Sequence, residues 1–306
     1  MMSNVEYTQL DDELFGEKEV SVSVLRLDKI HPYISGNKWF KLKYNIEEFF
    51  QIGKKFLVTF GGAYSNHIAA TAAAGKEAGI KTVGIIRGDE LNENSNPLLE
   101  FAAGCGMKMI FISREAYRQK DDRDFVLQLL RGKSGPEAFT GYTDEWRVES
   151  DPDLIYILPE GGSNKLAVKG CAEILGYIPA GFDFVCCACG TGATLAGIST
   201  ALNENQEAIG IAVLQGKNFL EENILGMNGH RSNFRIIHDY HFGGYAKSNP
   251  DLDLFCERFS SRHRFEIEPV YTGKLFYGLT GLIKKDYFPK GARVVVVHTG
   301  GLFEGH

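Results

Sequence analysis

Short apolar segments that end in glycine turns and lead into helical segments recur along this chain. The apolar runs at 55–60, 153–159 and 184–189 each pass through a glycine turn into a segment with apolar residues at helical spacing. A further β-branched run at 293–297 also ends in a glycine turn. Strands that alternate with helices predict parallel β-sheets with helices on both faces. Ligands bind beyond the carboxyl ends of such strands, so we expect an α/β fold whose turns converge on one site.

The turn formed by Gly190, Thr191, Gly192, Ala193 and Thr194 carries the most specific anion-binding pattern. Small residues, two hydroxyls and the N–H groups of a helix start suit a phosphate monoester. The turn lacks the Gly-Lys-[Ser/Thr] ending of a Walker loop. It also lacks the Gly-x-Gly-x-x-Gly pattern of dinucleotide sites. The sequence therefore predicts a phosphate site of another kind.

Lys38 lies where a polar loop passes into a helix predicted over 42–50. The positive end of a helix dipole and partial burial both lower the pKa of an ammonium group. A lysine in that position is a nucleophile for aldehydes, the chemistry of Schiff-base catalysis. The alternative is a solvated lysine at a helix start, one of 33 Lys and Arg residues in the chain.

A second glycine turn, at 61–62, leads to Ser65, Asn66 and His67 at the start of an alanine-rich helix. The hydroxyl, amide and imidazole at one rim predict an anion site. The alternative is a plain tight turn in which Ser or Asn caps the helix. A turn of the same form, which begins at Gly161, follows the strand at 153–159, but no sequence period relates the two.

Composition excludes several classes of function. The net charge is −6 and no basic run is present, so neither nucleic acid nor a membrane surface is an expected partner. The first residues have no signal-peptide pattern, which predicts a cytoplasmic protein. The six cysteines lack zinc-site spacing and are interpreted as small buried apolar residues, so no metal is expected. Residues 115–130 are predicted helical, 132–141 a loop and 215–250 irregular, and 113–150 carry no functional prediction.

Six motifs in order resemble the fold-type II pyridoxal-phosphate enzymes, and within them the aminocyclopropane-carboxylate deaminase and D-cysteine desulfhydrase family. The resemblance implies a tryptophan synthase β-like fold of two three-layer α/β/α domains, and a homodimer. It places a larger cofactor-binding domain at 1–40 plus 158–306 and a smaller inserted domain at 41–157. The motifs are Gly36-Asn37-Lys38 with Lys41-Leu42, Gly61-Gly62 with Ser65-Asn66-His67, Gly161-Gly162-Ser163-Asn164, Gly190 to Gly197, Pro269 to Lys274, and His298-Thr299-Gly300-Gly301.

The resemblance also implies roles for individual residues. Lys38 would bind pyridoxal 5′-phosphate covalently and then move protons at the substrate, while Asn66 would donate to the cofactor's 3′-oxygen. The turn at 190–194 would hold the phosphate. The substrate carboxylate would be received by Ser65, Asn66 and His67, with Gly161 also at the substrate. Tyr271 and Tyr245 correspond to tyrosines that face substrate; ordinary packing is the alternative for both.

Thr272 departs from the deaminase pattern. Aminocyclopropane-carboxylate deaminases have a glutamate here, which keeps the cofactor's ring nitrogen protonated, whereas the D-cysteine desulfhydrases have threonine. Tyr64 and Trp39-Phe40 depart from the pattern as well, near the substrate. We therefore expect a lyase that converts D-cysteine or a β-substituted D-alanine to pyruvate, ammonia and the leaving group. The alternatives are aminocyclopropane-carboxylate deamination, a cofactor-binding protein without turnover, and a nucleotide-binding α/β protein.

Overall fold

The computed structural model describes residues 5–131, 152–216 and 219–301. They form two compact units. The first unit runs up to Tyr44 and resumes at Ser163; the second begins at Asn45 and ends at Gly162. Both boundaries lie a few residues after those predicted from the sequence.

The regular elements alternate along the chain as the apolar pattern predicted. The strands are β1 (Glu6–Gln9), β2 (Ser21–Arg26), β3 (Phe56–Gly62), β4 (Lys81–Arg87), β5 (Lys108–Ile112), β6 (Ile155–Ile157), β7 (Phe184–Cys189), β8 (Glu207–Ala212), β9 (Phe234–Ile237) and β10 (Arg293–His298). The α-helices are α1 (Glu13–Glu17), α2 (Asn37–Gln51), α3 (Asn66–Ala78), α4 (Pro97–Gly104), α5 (Arg123–Leu130), α6 (Lys165–Ala172), α7 (Ala193–Ala201), α8 (Phe219–Asn228), α9 (Pro250–His263) and α10 (Thr272–Lys284).

Each unit is built on its own sheet. In the first unit the strand order is β1-β2-β10-β7-β8-β9, and every pair is parallel except β1 with β2. Strand β10 lies inside this sheet, and its valines at 294–297 are buried, as expected for a strand covered on both faces. In the second unit the order is β5-β4-β3-β6, all parallel. The predicted fold class, α/β with mainly parallel sheets, is confirmed.

Two segment predictions were wrong. Residues 115–130 are not one helix: a 3₁₀ turn at Ala116–Gln119 precedes α5, which starts anew because the Asp122 carboxylate accepts hydrogen bonds from the N–H groups of Asp124 and Phe125. The stretch 215–250 contains α8 and β9. Strand β9 is a four-residue edge strand, too short to give a periodic signal, and its pairing with β8 fixes it. The loop predicted at 132–141 lies outside the described residues.

The cysteines agree with their interpretation as apolar packing residues. All six are free thiols; five are buried and Cys105 is partly buried. Within the described ranges, no three metal-ligating side chains come together. In the same ranges, no helix has the length and apolar character needed to cross a membrane.

Glycines let three helices of the first unit pack at close range. A Cβ at Gly170 of α6 would lie 1.9 Å from the carbonyl oxygen of Phe40 in α2. A Cβ at Gly197 of α7 would lie 2.5 Å from Cys171 Cβ in α6. The backbone of α2 near Lys38 is therefore held directly against α6, which in turn contacts α7.

Candidate active site

Lys38 occupies the first turn of α2, and the loop before it is fixed by backbone contacts. Gly36 has φ +64°, and a Cβ there would lie 1.9 Å from the carbonyl oxygen of Thr299. Only glycine fits such a close approach in the left-handed region. The Lys38 Nζ donates to Asn37 Oδ1 at 2.9 Å, and Asn37 Nδ2 donates to Thr194 Oγ1 at 2.8 Å. One buried amide thus joins the lysine to the 190–194 turn.

The electrostatic surroundings of Lys38 favour its neutral amine. Burial lowers the pKa of Lys38 to about 7, and the positive charge of Lys41 lowers it further. The Cys171 thiol acts weakly in the opposite direction. A substantial fraction of Lys38 is therefore uncharged near neutral pH, which is the nucleophilic form.

The 190–194 turn presents backbone rather than side chains at the start of α7. Gly192 has φ +90°, and a Cβ there would lie 2.7 Å from Ile224 Cγ1. The first N–H groups of a helix have no partner within the helix and attract anions. The Thr191 hydroxyl forms a short hydrogen bond with Ser163, and the Thr194 hydroxyl faces Asn37. The turn is therefore narrow and has the backbone donors that the predicted anion site requires.

Lys41 lies one helical turn after Lys38 and is also buried. Burial lowers the pKa of Lys41, while the thiols of Cys171 and Cys189 act in the opposite direction. Cys189 is the last residue of β7, immediately before the 190–194 turn. Lys41 thus places a basic side chain near Cys189, the residue that precedes the predicted phosphate site, and the sequence did not predict this. The spacing of three residues from Lys38, on one helix face, is the signal that could have revealed it.

Tyr271 and Tyr245 contact each other, although they are 26 residues apart in the sequence and the segment around Tyr245 has no sequence motif. Their ring centroids lie 5.9 Å apart in a T-shaped arrangement. A Cβ at Gly190 would lie 3.4 Å from Tyr271 Cε1, so the tyrosine pair is next to the phosphate turn. Lys274, which is fully buried, donates to the carbonyls of His241 and Gly244 and holds the Tyr245 loop against α10.

Thr272 is buried at the start of α10. Its hydroxyl accepts a hydrogen bond from the backbone N–H of Glu268 at 2.9 Å and lies 3.2 Å from Glu268 Oε1. Burial raises the pKa of Glu268 to about 7, although N–H groups of Thr272, Val270 and Tyr271 act in the opposite direction. The titratable carboxyl group of Glu268 is therefore in contact with Thr272.

The remaining predicted residues belong to the second unit. Ser65 is the N-cap residue of α3, its side chain makes no capping hydrogen bond, and Asn66 is the first helical residue. His67 is 2% exposed, and its Nε2 lies 2.7 Å from Thr59 Oγ1, which donates to the carbonyl of Leu158. The hydroxyl has one proton, so Nε2–H is the donor and the ring fastens α3 to β3. Gly161 has φ +69° in the turn after β6.

A family model described as "pyridoxal-phosphate dependent enzyme" matches residues 8–300. The chain belongs to this enzyme family. The recognition made from the six motifs is thereby confirmed, and so is the cofactor.

Relatives and a solved structure place the enzyme within the family. A Thermotoga maritima protein, provisionally named a 1-aminocyclopropane-1-carboxylate deaminase, is 31% identical over 88% of this chain and 85% of the relative. A mitochondrial Arabidopsis thaliana protein, named as a bifunctional D-cysteine desulfhydrase and 1-aminocyclopropane-1-carboxylate deaminase, is 30% identical over 88% of this chain and 69% of that protein. A crystal structure of an ACC deaminase homologue matches with a TM-score of 0.77 at 25% identity, covering 98% of this chain and 90% of the other.

The residues of the first unit fit pyridoxal phosphate. Lys38 supplies an amine with a lowered pKa, and the side chain of Asn37 joins it to the turn at 190–194. That turn supplies the first N–H groups of α7, and the missing side chain of Gly192 lets the turn pack against Ile224 of α8. Asn37 belongs to one of the six sequence motifs, but the motif did not predict a role for it. No sequence pattern indicated Glu268. The roles assigned to Ser65, Asn66, His67 and Gly161 stay predictions.

Proposed function

We propose that the enzyme is a pyridoxal-phosphate-dependent lyase that deaminates a small amino acid. The observation that carries this proposal is the chain of hydrogen bonds from Lys38 through Asn37 to Thr194. It joins a nucleophilic amine to an anion site, the two groups that an aldehyde with a phosphate tail requires. The cofactor supplies an electron sink for the substrate's carbanion, and the protein positions and tunes it.

Each group of residues has a proposed task. Lys38 binds the cofactor and afterwards moves a proton at the substrate's carbon atoms, for which a pKa about 7 is well matched to neutral pH. The start of α7 and the nearby Lys41 hold the phosphate. Tyr271 and Tyr245 orient the substrate and take part in proton transfer through their hydroxyls.

We assign the substrate's carboxylate to the start of α3. Ser65 and the first N–H groups of that helix would bind it, because a helix N-terminus with an uncommitted capping hydroxyl favours an anion. Asn66 would donate to the cofactor's 3′-oxygen. His67 would contribute through its backbone N–H rather than its ring, since the imidazole is engaged with Thr59.

The substrate we propose is D-cysteine or a β-substituted D-alanine, converted to pyruvate, ammonia and the leaving group. Thr272 favours D-cysteine as the substrate, since the D-cysteine desulfhydrases that the sequence resembles have threonine at this position. Deamination of 1-aminocyclopropane-1-carboxylate to 2-oxobutyrate is the second candidate, and the names of both relatives support it. A homodimer and a cytoplasmic location are also proposed, as the sequence predicted.

A substrate panel tests this proposal. The purified holoenzyme is incubated with D-cysteine, L-cysteine, D-serine, β-chloro-D-alanine or 1-aminocyclopropane-1-carboxylate, and the 2-oxo acid is identified. We expect pyruvate from D-cysteine and none with Lys38→Ala. Inactivity on all five, with the cofactor bound, would instead support a binding protein without turnover. Borohydride reduction would trap a cofactor that is bound to Lys38 as an imine. If reduction leaves Lys38 unmodified, the nucleotide-binding alternative is favoured.

A further inference from the structure

Asp28 is a largely buried carboxylate in the 3₁₀ turn that follows β2, Leu27–Lys29. The side chains of Arg26 and Asp28 are 7% and 10% exposed. Arg26 Nε donates to Asp28 Oδ1 at 2.9 Å, and Arg26 Nη2 donates to Asp28 Oδ2 at 2.6 Å. The guanidinium also lies over the Phe265 ring, 4.4 Å from its centroid. Because an arginine in a protein stays charged, the carboxylate compensates a positive charge that is buried against an aromatic ring.

The Asp28 carboxylate also contacts the neighbouring strand. Arg26 is the last residue of β2 and His298 is the last residue of β10, and the two are paired in the parallel register of these strands. His298 is fully buried, its Nε2 donates to the carbonyl of Glu266 at 3.0 Å, and its Nδ1 lies 3.3 Å from Asp28 Oδ1. Asp28 therefore bridges the carboxyl ends of two strands, at the edge where ligands bind to such sheets.

The loop that leads to Lys38 is held by the residues that follow these two strand ends. On the β2 side, the hydroxyl of Ser35 donates to the backbone carbonyl of Asp28 at 3.2 Å. On the β10 side, a Cβ at Gly36 would lie 1.9 Å from the carbonyl oxygen of Thr299. The loop thus lies between two backbone segments, and the carboxylate of Asp28 fastens the strand ends from which both segments start.

We propose that Asp28 is a positioning residue for Lys38, because its carboxylate fixes the ends of β2 and β10 relative to each other and so sets the place of the loop that leads into α2. This inference rests on the proposed function, in which Lys38 captures pyridoxal phosphate. A displacement of about 1 Å at a reacting group can slow a reaction about a hundredfold. The alternative is a buried ion pair that contributes to stability alone.

A double variant separates the two roles. The urea unfolding midpoint is measured together with the rate at which the apoenzyme captures pyridoxal phosphate, and borohydride reduction locates the trapped cofactor at Lys38. Asp28→Asn keeps the shape of the side chain and removes its charge. We expect a lower midpoint, because the Arg26 guanidinium loses its carboxylate, and capture that is about a hundredfold slower.

Addition of Arg26→Met to Asp28→Asn removes the buried positive charge as well. The unfolding midpoint should then largely return, since replacing both members of a buried ion pair costs far less than removing one. Capture should stay slow, because the bridge between the strand ends is still missing. If capture returns together with the midpoint, Asp28 serves stability alone and the inference is overturned.

Val294→Ala is the matched control for stability. Val294 is 1% exposed and lies in β10, four residues before His298. Its truncation should lower the unfolding midpoint through lost packing. The rate of capture should stay within about twofold of the wild-type rate, since the substitution is distant from the strand ends. If Val294→Ala slows capture as much as Asp28→Asn does, capture follows stability and the inference fails.

Inorganic phosphate shows whether the damage is confined to the Lys38 loop. It should inhibit capture equally well in Asp28→Asn and in the wild type, since the predicted phosphate site is the 190–194 turn. If Asp28→Asn weakens phosphate inhibition as much as it slows capture, the damage is general and the inference is contradicted.

A second variant applies if Asp28→Asn does not fold. Ser35→Ala keeps the Arg26–Asp28 pair and removes only the hydroxyl that donates to the Asp28 carbonyl. Capture should be about tenfold slower, the effect of one lost hydrogen bond. A wild-type rate in Ser35→Ala would refute the positioning role. If the wild-type apoenzyme itself does not capture the cofactor at Lys38, the proposed function is refuted instead, and this is seen before any variant is compared.

Discussion

Replacement of Gly170 by alanine tests how closely α6 packs against the helix that carries Lys38. A Cβ at this position would lie 1.9 Å from the Phe40 carbonyl oxygen and 2.8 Å from its carbon. Both atoms belong to backbone, so no side-chain rotation relieves the clash. The two helices have to separate locally by about 1 Å or more, the kind of overpacking that costs about 1–3 kcal/mol.

The higher helix propensity of alanine offsets part of the cost of this clash. Alanine in place of a helical glycine stabilises by about 1 kcal/mol when nothing obstructs it. Because the clash is between backbones, we take the upper part of the overpacking range and expect Gly170→Ala to lower the free energy of unfolding by about 2 kcal/mol. Gly226 in α8 is the matched control: it also lies two residues before the end of its helix, and its Cβ would meet no atom within 4 Å.

Urea unfolding followed by circular dichroism measures both variants. Gly226→Ala should gain about 0.5–1 kcal/mol, so the two variants should differ by about 3 kcal/mol. Lys38 is two residues before Phe40, and a displacement of about 1 Å there should slow the capture of pyridoxal phosphate by about a hundredfold. If Gly170→Ala is stabilised as Gly226→Ala is, or captures the cofactor at the wild-type rate, the close contact between α6 and α2 is refuted.

Three further predictions concern lysines with lowered pKa values. The rate at which the apoenzyme captures pyridoxal phosphate should rise with pH and reach half its maximum near pH 7, because only the neutral Lys38 amine attacks. Lys41→Met should move this midpoint upward, because it removes a positive charge that lowers the pKa of Lys38. A wild-type midpoint near the ordinary lysine value would contradict the lowered pKa. Since the pKa of Lys38 is lower folded than unfolded, unfolding takes up a proton between about pH 7 and 10.5, and this group's contribution to the free energy of unfolding increases with pH across that window. Lys274→Met should destabilise the enzyme by about 2 kcal/mol, because two buried carbonyls lose their donor, and should raise KM by loosening the Tyr245 loop. Lys284→Met, at an exposed position of the same helix, is the control and should change stability by less than about 0.5 kcal/mol in urea unfolding.

The sequence was informative where a structural feature depends on residues close together in the chain. The bounds of β7 were predicted without error because it is an apolar run that ends at a glycine turn. Cap residues and breaks in periodicity are weaker sequence signals than apolar runs. For this reason a single helix was predicted over 115–130, and the new helix that starts after Asp122 was missed. Edge strand β9 depends on its partner β8 more than on its own residues, and it was missed for that reason.

The sequence by itself determined the α/β class and the glycine turns, and it predicted Lys38 as the reactive residue, because periodicity, glycine and motif order are local properties. Only the tertiary structure decided that Asn37 donates to Thr194, that Tyr245 packs on Tyr271, and that Gly301 closes over Glu268. The strand order β1-β2-β10-β7-β8-β9 places β10 beside β2, although more than 260 residues separate them in the sequence, and no local pattern encodes that order. Contacts of this kind arise from the packing of distant segments, so their partners are known only once the sheet is assembled.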